Sequence, residues 1–241
     1  MWIQSILKIM YKLDYLKASA DRASKQNKEF VVSESVQVYI KDPLTNGVNI
    51  RNILDKINIS IPPHLTTEID SIYVGIFDDF EEKETNAAYK DGAIYVSSQQ
   101  DDEQDLLDDM VHEIAHSLEI PFGYLIYGDG ELEQEFLSKR KKLYKILKKE
   151  GLKPNKELFL DLDFTKDMDD YLYKVVGYDR LNIIAASYSL FTSAYCATSL
   201  KEYFANGFEY YFLDNPQYLG KICPVLYTKI QELHDYDEYG S

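Results

Sequence analysis

Basic charge is scarce in this chain of 241 residues. Lysine and arginine number 26 against 41 aspartates and glutamates, which gives a formal net charge of -15 and a pI near 4.7. A protein that follows a phosphate backbone needs a basic surface, because lysine and arginine side chains replace the condensed cations. The charge balance therefore argues against nucleic acid as a partner, whereas it suits a basic substrate.

Cysteine and long apolar runs are also in short supply. Cys196 and Cys223 are too few for a disulfide framework and are compatible with a reduced compartment. No run approaches the roughly 20 apolar residues that span a bilayer. Lys8 and Lys12 interrupt the apolar N-terminal segment, and no small-residue cleavage site follows it, so a signal peptide is not indicated. We expect a cytoplasmic protein without a membrane partner; non-standard export or a place in a phage particle would leave no mark in the sequence.

The order of predicted elements favours an α+β fold, and 45% hydrophobic content is enough for a sizeable core. Runs of β-branched and aromatic residues bounded by turn residues predict strands in residues 30–40, 71–77 and 92–98. Helical periodicity predicts helices at residues 50–57, 131–150, 168–176, 179–191, 199–213 and 224–234. The basic stretch "KRKKLYKILKK" of the long helix is expected to be solvated.

A further helix is predicted at residues 2–25, within an N-terminal arm over residues 1–30. Its apolar side chains recur at roughly helical spacing, beginning with Trp2, Ile6 and Ile9. Such a stripe packs on the body of the protein or docks on a partner. The sequence leaves both possibilities open.

Two of the chain's four histidines lie one helical turn apart in "DDMVHEIAHSLEI", residues 108–120. Residues four apart share one face of a helix, so His112 and His116 can direct nitrogens at one metal ion, about 2.0–2.1 Å from each. Glu113 lies beside them, where its carboxylate can take a proton from a metal-activated water. The pattern predicts a zinc site with hydrolytic chemistry, and its alternative is an amphipathic helix with two histidines by coincidence.

The helix that carries this motif has a separate apolar face. Ser98 or Asp101 is expected to cap its start, and acidic residues fill its first turns, where the helix dipole favours negative charge. The apolar stripe consists of Leu107, Met110, Val111, Ile114 and Leu118. The helix can therefore bury one face in a core and offer the other to a cleft.

Two histidines do not complete a catalytic zinc site, which takes three protein ligands and one open position. The remaining histidines, His64 and His234, fit no extended zinc motif. A carboxylate on a later helix is therefore expected. "AYCATSLKEYFANGFEYYF", residues 194–212, offers Glu202, with Asn206 one turn further on to accept a hydrogen bond from a ligand imidazole.

The residues alone leave alternatives for this third ligand. Glu209 and Glu119 are competing carboxylates, and Ser199-x-x-Glu202 also matches a capping box in which Glu202 reaches back to the Ser199 amide. Gly207 inside the helix costs roughly 1 kcal/mol relative to alanine. A close approach to the motif helix would explain its presence.

At these residues the chain resembles the catalytic domain of anthrax lethal factor and its relatives, which include the secreted Pro-Pro endopeptidases. The resemblance lies in "VHEIAHSLE" followed by "LKEYFANGFEYYFLDNPQYLGKICPVLYTKIQEL" and extends from about residue 105 to residue 233. In that family the first letter of E-[FY]-F-A-x-x-F is the zinc-binding glutamate, which corresponds to Glu202. A tyrosine seven residues earlier assists catalysis in the family, and Tyr195 holds that place. The resemblance implies a zincin-like fold, with a small mixed sheet packed on the active-site helix and a mostly helical C-terminal part.

The chain departs from the family in two places. Glu202 lies 86 residues after His116, farther than is usual in the family, and residues 152–190 are predicted to be an insertion. Asn206 stands where the family commonly has a glutamate, which removes a negative charge near the metal. We therefore predict one zincin-like domain over residues 1–241, with a catalytic core at residues 71–241 that contains the insertion.

The resulting functional prediction is a zinc metalloendopeptidase of the gluzincin type, with one Zn²⁺ per chain and a peptide or protein substrate. His112, His116 and Glu202 would hold the metal, Glu113 would act as general base, and Tyr195 would donate a hydrogen bond to the developing oxyanion.

Extended substrate is predicted to pair with the strand just before the motif helix, as is common in zincins. Backbone hydrogen bonds from an edge strand give affinity for a peptide. The residues predicted to bind substrate in this way are Ala93, Ile94, Tyr95 and Val96.

Two other functions compete with this prediction. A catalytically weak or inactive zincin-fold protein could serve a binding or structural role, for example in a phage particle or mobile element; the long insertion and Asn206 motivate this reading. A cell-wall peptide amidase would use the same zinc chemistry on a different substrate.

Overall fold

The structure, a computed structural model, describes residues 29–236 apart from residues 34, 46, 79 and 81–84. The predicted helix at residues 2–25 and its partner-docking role lie outside the described residues. The described chain forms two compact units. The first comprises the described residues up to Ile59 together with Thr66–Met110, and the second comprises Ser60–Leu65 and the residues from Val111 onward. Sheet and helices confirm the α+β class.

A single mixed sheet of five strands organises the first unit, in the order β1-β2-β3-β5-β4. The strands are β1 (Glu29–Val32), β2 (Val36–Ile40), β3 (Ser71–Gly75), β4 (Ala87–Lys90) and β5 (Ala93–Ser97). β2, β3 and β5 are parallel, whereas β1 and β4 pair antiparallel to their neighbours. The predicted strand at residues 30–40 is therefore a hairpin, and β4 was not predicted because alanine and lysine favour strands weakly.

The two faces of this sheet follow from strict alternation along the parallel strands. Val38, Ile72 and Ile94 are register neighbours and are fully or almost fully buried. The next residue of each strand is a tyrosine, and these rings stack across the opposite face with centroid separations of 5.2 and 5.3 Å. Helix α1 (Ile50–Ser60) adds Ile50, Ile53, Leu54 and Ile57 to the buried apolar residues of the unit, at the spacing of one helix face.

β5 is not an edge strand. Ala93, Ile94, Tyr95 and Val96 pair with β3 on one side and with β4 on the other. Both rows of backbone groups are therefore used within the sheet, and the predicted pairing of a substrate peptide with β5 is wrong. β4 is the outer strand on this side.

The motif helix α2 (Glu103–Leu118) begins in the first unit and ends in the second. Its cap is Asp102, whose carboxylate accepts hydrogen bonds from the amides of Gln104 at 2.7 Å and Asp105 at 3.0 Å. The prediction of Ser98 or Asp101 is wrong, because the helix starts directly after Asp102 and that side chain alone meets the first free amides. The predicted apolar stripe is confirmed, since all five of its residues are buried.

Helices make up most of the second unit. They are α3 (Gly123–Tyr127), α4 (Glu131–Lys149), α5 (Lys166–Asp170), α6 (Tyr178–Ser187), α7 (Leu200–Leu213), α8 (Pro216–Ile222) and α9 (Pro224–His234). A π-helical turn (Tyr171–Val176) joins α5 to α6, and a 3-10 turn (Tyr195–Ala197) precedes α7. Gly151, with a φ of 86°, ends α4 as predicted. Among the described residues, no helix is both long enough and apolar enough to cross a membrane.

Two cations of α4 are buried, against the predicted solvated face. The Arg140 guanidinium donates hydrogen bonds to the carbonyls of Leu158, at 2.8 Å, and Asp161. The Lys139 ammonium donates to the carbonyls of Leu190, at 2.8 Å, and Ile222. Buried charges need such partners, so these contacts fasten the segment at residues 152–190 and the end of α8 to α4.

α7 is the central helix of the second unit. Tyr203, Phe204 and Phe208 are fully buried, and the Tyr203 hydroxyl donates to Glu135 of α4 at 2.8 Å. A Cβ placed on Gly207 would lie 2.3 Å from Leu226 Cδ2. The glycine therefore permits a close approach of α9, and the predicted approach to the motif helix is wrong.

Candidate metal centre

His112 and His116 lie one turn apart on α2, as the sequence predicts. Their Nε2 atoms are 3.2 Å from each other, and both side chains are largely buried. Together with Glu113 they form a group whose ligand-type atoms all lie within 4.8 Å of one another. The Glu113 carboxylate thus lies beside the two imidazoles.

Glu202, in the first turn of α7, meets both histidines. Its Oε2 is 2.9 Å from His112 Nε2, and its Oε1 is 3.6 Å from His116 Nε2. Ser199 caps α7 by accepting a hydrogen bond from the Glu202 amide at 3.1 Å. The Glu202 carboxylate contacts the histidines, so only the Ser199 half of the predicted capping box is formed.

The donor set fits a zinc ion. Two ligands held about 2.0–2.1 Å from a tetrahedral ion lie about 3.3–3.4 Å apart. The contacts among the two imidazole nitrogens and the Glu202 carboxylate are 2.9, 3.2 and 3.6 Å, which bracket that separation. Two imidazoles and one carboxylate are also a donor set of catalytic zinc sites.

The outer nitrogens of the same imidazoles face two further carboxylates. His116 Nδ1 lies 2.7 Å from Glu119 Oε1, and His112 Nδ1 lies 3.6 Å from Glu209 Oε2. Lys201 approaches the other oxygen of Glu119 at 3.1 Å. A carboxylate at Nδ1 fixes the tautomer that leaves Nε2 free to bind a metal. Glu119 and Glu209, the alternative ligands of the sequence analysis, contact the sides of the imidazoles that face away from Glu202.

Asn206 does not take the place predicted for it. Its amide nitrogen donates to the Glu202 carbonyl at 2.9 Å, and its amide oxygen accepts from the Ser193 hydroxyl at 2.7 Å. The first bond lies within α7, and the second joins α7 to the segment just before Tyr195. Glu209, two turns along the same helix face from Glu202, supplies the contact to an imidazole instead.

Tyr195 lies beside the histidines. Its ring centroid is 6.4 Å from that of His112. Burial, followed by the negative charges of Glu202, Asp169 and Glu113, raises the pKa of the Tyr195 hydroxyl well above its usual value. The phenol therefore stays protonated at neutral pH and remains a hydrogen-bond donor.

The electrostatics of the histidines are governed by the carboxylates. Burial alone would lower the pKa of His112, but contacts with Glu202 and Glu209 outweigh it and raise this pKa to about 10. Burial would also lower the pKa of His116, but contacts with Glu119 and Glu202 outweigh it and raise this pKa to about 9. Burial would raise the pKa of Glu202, yet the two imidazoles lower it to about 2. A metal ion must therefore displace protons that the pairs share.

Two residues that were not predicted, Tyr178 and Asp169, reach the site from the segment at residues 152–190. The Tyr178 ring lies 6.5 Å from that of Tyr195, and its hydroxyl donates to Asp169 at 2.6 Å. No local pattern marks either residue, because both reach the site through tertiary packing.

Comparison with protein-family models, with curated proteins and with solved structures gives no match. The geometry and chemistry of the site therefore carry the functional argument.

Proposed function

We propose that the protein is a zinc-dependent metalloendopeptidase of the gluzincin type. The observation that carries the proposal is the meeting of Glu202, from α7, with the Nε2 atoms of His112 and His116, from α2. The period of one helix is enough to bring the two histidines together. It does not explain why a carboxylate from a helix distant in the sequence meets them at the same point. Such convergence of two nitrogens and one oxygen is what a catalytic zinc requires.

Zinc bound by these three residues would supply Lewis-acid chemistry, by polarising a carbonyl and making water acidic at neutral pH. Glu113 lies close enough to the histidines to accept the proton of the attacking water and deliver it to the leaving amine. Tyr195 would donate a hydrogen bond to the carbonyl oxygen as it becomes negative. Loss of such a donor typically costs roughly a hundredfold or more in rate.

The resemblance to lethal factor and its relatives supports the same assignment. The residues that carry the resemblance, His112, Glu113, His116, Tyr195 and Glu202, all belong to one site of the second unit. We extend the proposal to a zincin-like fold, in which a mixed sheet precedes the motif helix and helices follow it.

Asn206 removes the negative charge that the family commonly has one turn after the ligand. Glu209 restores a carboxylate beside His112, at 3.6 Å from Nδ1. Together with Glu113 and Tyr195, this contact favours an active enzyme over a binding or structural protein.

Metal analysis combined with a peptide library tests the proposal. The purified protein should contain one zinc per chain and cleave peptides, whereas Glu113→Gln should keep the zinc and lose cleavage. Stoichiometric zinc without cleavage of any peptide would overturn the peptidase and favour a binding role. Hydrolysis confined to a peptidoglycan pool would instead identify a cell-wall amidase.

A further inference from the structure

A row of three tyrosine rings begins at the candidate metal centre and runs outward along the second unit. Tyr195 lies 6.4 Å from the His112 ring, Tyr178 lies 6.5 Å from Tyr195, and Tyr173 lies 5.3 Å from Tyr178. We call Tyr195, Tyr178 and Tyr173 the tyrosine row. Two of its members belong to the segment at residues 152–190, which the resemblance does not account for.

Hydrogen bonds hold the inner part of the row, Tyr178 and the turn that carries Tyr195, in place. The Tyr178 hydroxyl donates to Asp169 at 2.6 Å, and the amide of Ala194, next to Tyr195, donates to the Asn182 side chain at 2.6 Å. The second bond joins the turn that carries Tyr195 to α6, the helix that Tyr178 begins. Tyr178 and the turn that carries Tyr195 are therefore held in place without a ligand, which lowers the entropic cost of binding.

Both ends of the row are open to solvent. Tyr173 is 59% exposed and Tyr195 is 36% exposed, in contrast to the fully buried Tyr203 of the same unit. Ordered, exposed aromatic rings beside a catalytic centre offer apolar faces and edges to a bound molecule. The surface is therefore suited to a substrate side chain rather than to the protein's own core.

The charges around the row select among side chains. Asp169 accepts the hydrogen bond of the Tyr178 hydroxyl, and Glu202 and Glu113 lie at the metal centre where the row begins, so the inner end of the row is lined by carboxylates. An acidic substrate side chain would be repelled, whereas an aromatic one would gain edge or face contacts with the rings. We propose that the tyrosine row is a subsite for an aromatic side chain next to the scissile bond, an inference that rests on the proposed peptidase function.

Binding of two zinc-directed probes tests this subsite without turnover. N-acetyl-phenylalanine hydroxamate should bind the zinc-loaded protein roughly 2- to 10-fold more tightly than N-acetyl-alanine hydroxamate, measured by calorimetry. Tyr178→Ala should abolish most of that preference, because Tyr178 is the ring next to Tyr195, and Tyr178→Phe should retain it because the ring remains. Tyr188→Ala, which removes another exposed tyrosine of the same segment, is the matched control and should leave the preference unchanged.

The outcomes separate the subsite from the peptidase proposal. Equal binding of the two hydroxamates, or equal losses for both in Tyr178→Ala, would overturn the subsite even if the enzyme cleaves peptides. A phenylalanine preference that depends on Tyr178 in a protein that cleaves nothing would keep the aromatic site and reject the peptidase. If the protein takes up no zinc, NMR titration of the tyrosine-row signals should still give a lower Kd for N-acetyl-phenylalanine amide than for N-acetyl-alanine amide, and equal Kd values would reject the subsite.

Discussion

At the scale of single residues, the candidate site is organised by the two nitrogens of each imidazole. The Nε2 atoms face each other and Glu202, whereas the Nδ1 atoms face Glu119 and Glu209. One carboxylate therefore serves as the proposed ligand, and two orient the histidines. This division explains how the chain can dispense with a glutamate at Asn206.

Glu209→Gln tests the orienting role. Loss of the charge at His112 Nδ1 should weaken zinc binding about 10- to 100-fold, because partners of this kind fix the tautomer and basicity of a ligand imidazole. Competition with a chelator of known zinc affinity measures the change. Glu232→Gln, at an exposed carboxylate of α9, should bind zinc like the wild type. Wild-type affinity in Glu209→Gln would contradict the role.

The histidine–carboxylate pairs also predict a pH dependence of the metal-free protein. The folded protein holds the protons of His112 and His116 more tightly than the unfolded chain does, since the pKa values rise from 6.5 to about 10 and about 9. The resulting stabilisation is complete below pH 6.5 and is lost as the pH rises through about 9 and 10. The Glu202 carboxylate is more acidic in the folded protein, where its pKa falls from 4.5 to about 2. The resulting stabilisation is complete above pH 4.5 and is lost as the pH falls towards about 2. Their joint contribution is therefore greatest between pH 4.5 and 6.5.

Denaturant titrations with excess chelator measure this dependence. The free energy of unfolding should fall between pH 6.5 and 9, and the fall should be smaller in a His112→Gln/His116→Gln variant. Identical pH profiles for the two proteins would show that these pairs contribute nothing to the metal-free fold.

At the scale of elements, the packing of α9 on α7 depends on Gly207. Gly207→Ala places a methyl group 2.3 Å from Leu226 Cδ2 and should destabilise the protein by about 1–3 kcal/mol. Gly220→Ala is the matched control, since its Cβ would lie 3.4 Å from the nearest Tyr227 atom. It should be neutral or stabilise by up to about 1 kcal/mol. Thermal and denaturant unfolding measure both variants.

Leu226→Ala should partly rescue Gly207→Ala, because it removes the atoms that the new methyl group meets. Additive losses in the double variant would show that the two helices do not meet at this point.

The same scale shows which elements the sequence could predict. The motif helix and α7 have strong helical periodicity, and Ser199 caps α7 as the local pattern suggests. β4 escaped prediction because "AAYK" becomes a strand only through its pairing with β5. The role of β5 was misjudged for the same reason, since edge or interior position depends on pairing and not on composition.

At the scale of the whole molecule, the proposed metal would join two helices that are distant in the sequence. His116 and Glu202 are separated by 86 residues and lie together only in the folded chain. Local pattern therefore predicted the two histidines, and the choice of Glu202 over Glu119 and Glu209 needed the family resemblance. The part played by Tyr178 and Asp169 could not be predicted, because the path of residues 152–190 depends on buried contacts such as those of Arg140.

Zinc should consequently stabilise the fold as a whole. Free zinc at 1,000 times its Kd should add about 4 kcal/mol to the free energy of unfolding, since the unfolded chain holds no such site. Thermal melts with zinc and with chelator measure the difference, and Glu113→Gln should retain it because Glu113 is not a proposed ligand. An equal melting temperature in zinc and in chelator would contradict a folded-state site.

The zinc affinity of Glu202→Gln tests the central claim most directly. Glutamine has nearly the same size as glutamate. The helix cap at Ser199 uses the backbone amide of residue 202 and not its side chain, so folding should be preserved. Because a direct ligand is lost, its zinc affinity should fall by at least about 100-fold, more than for Glu209→Gln. Wild-type affinity in Glu202→Gln would show that the third ligand lies elsewhere and would contradict the proposed metal centre.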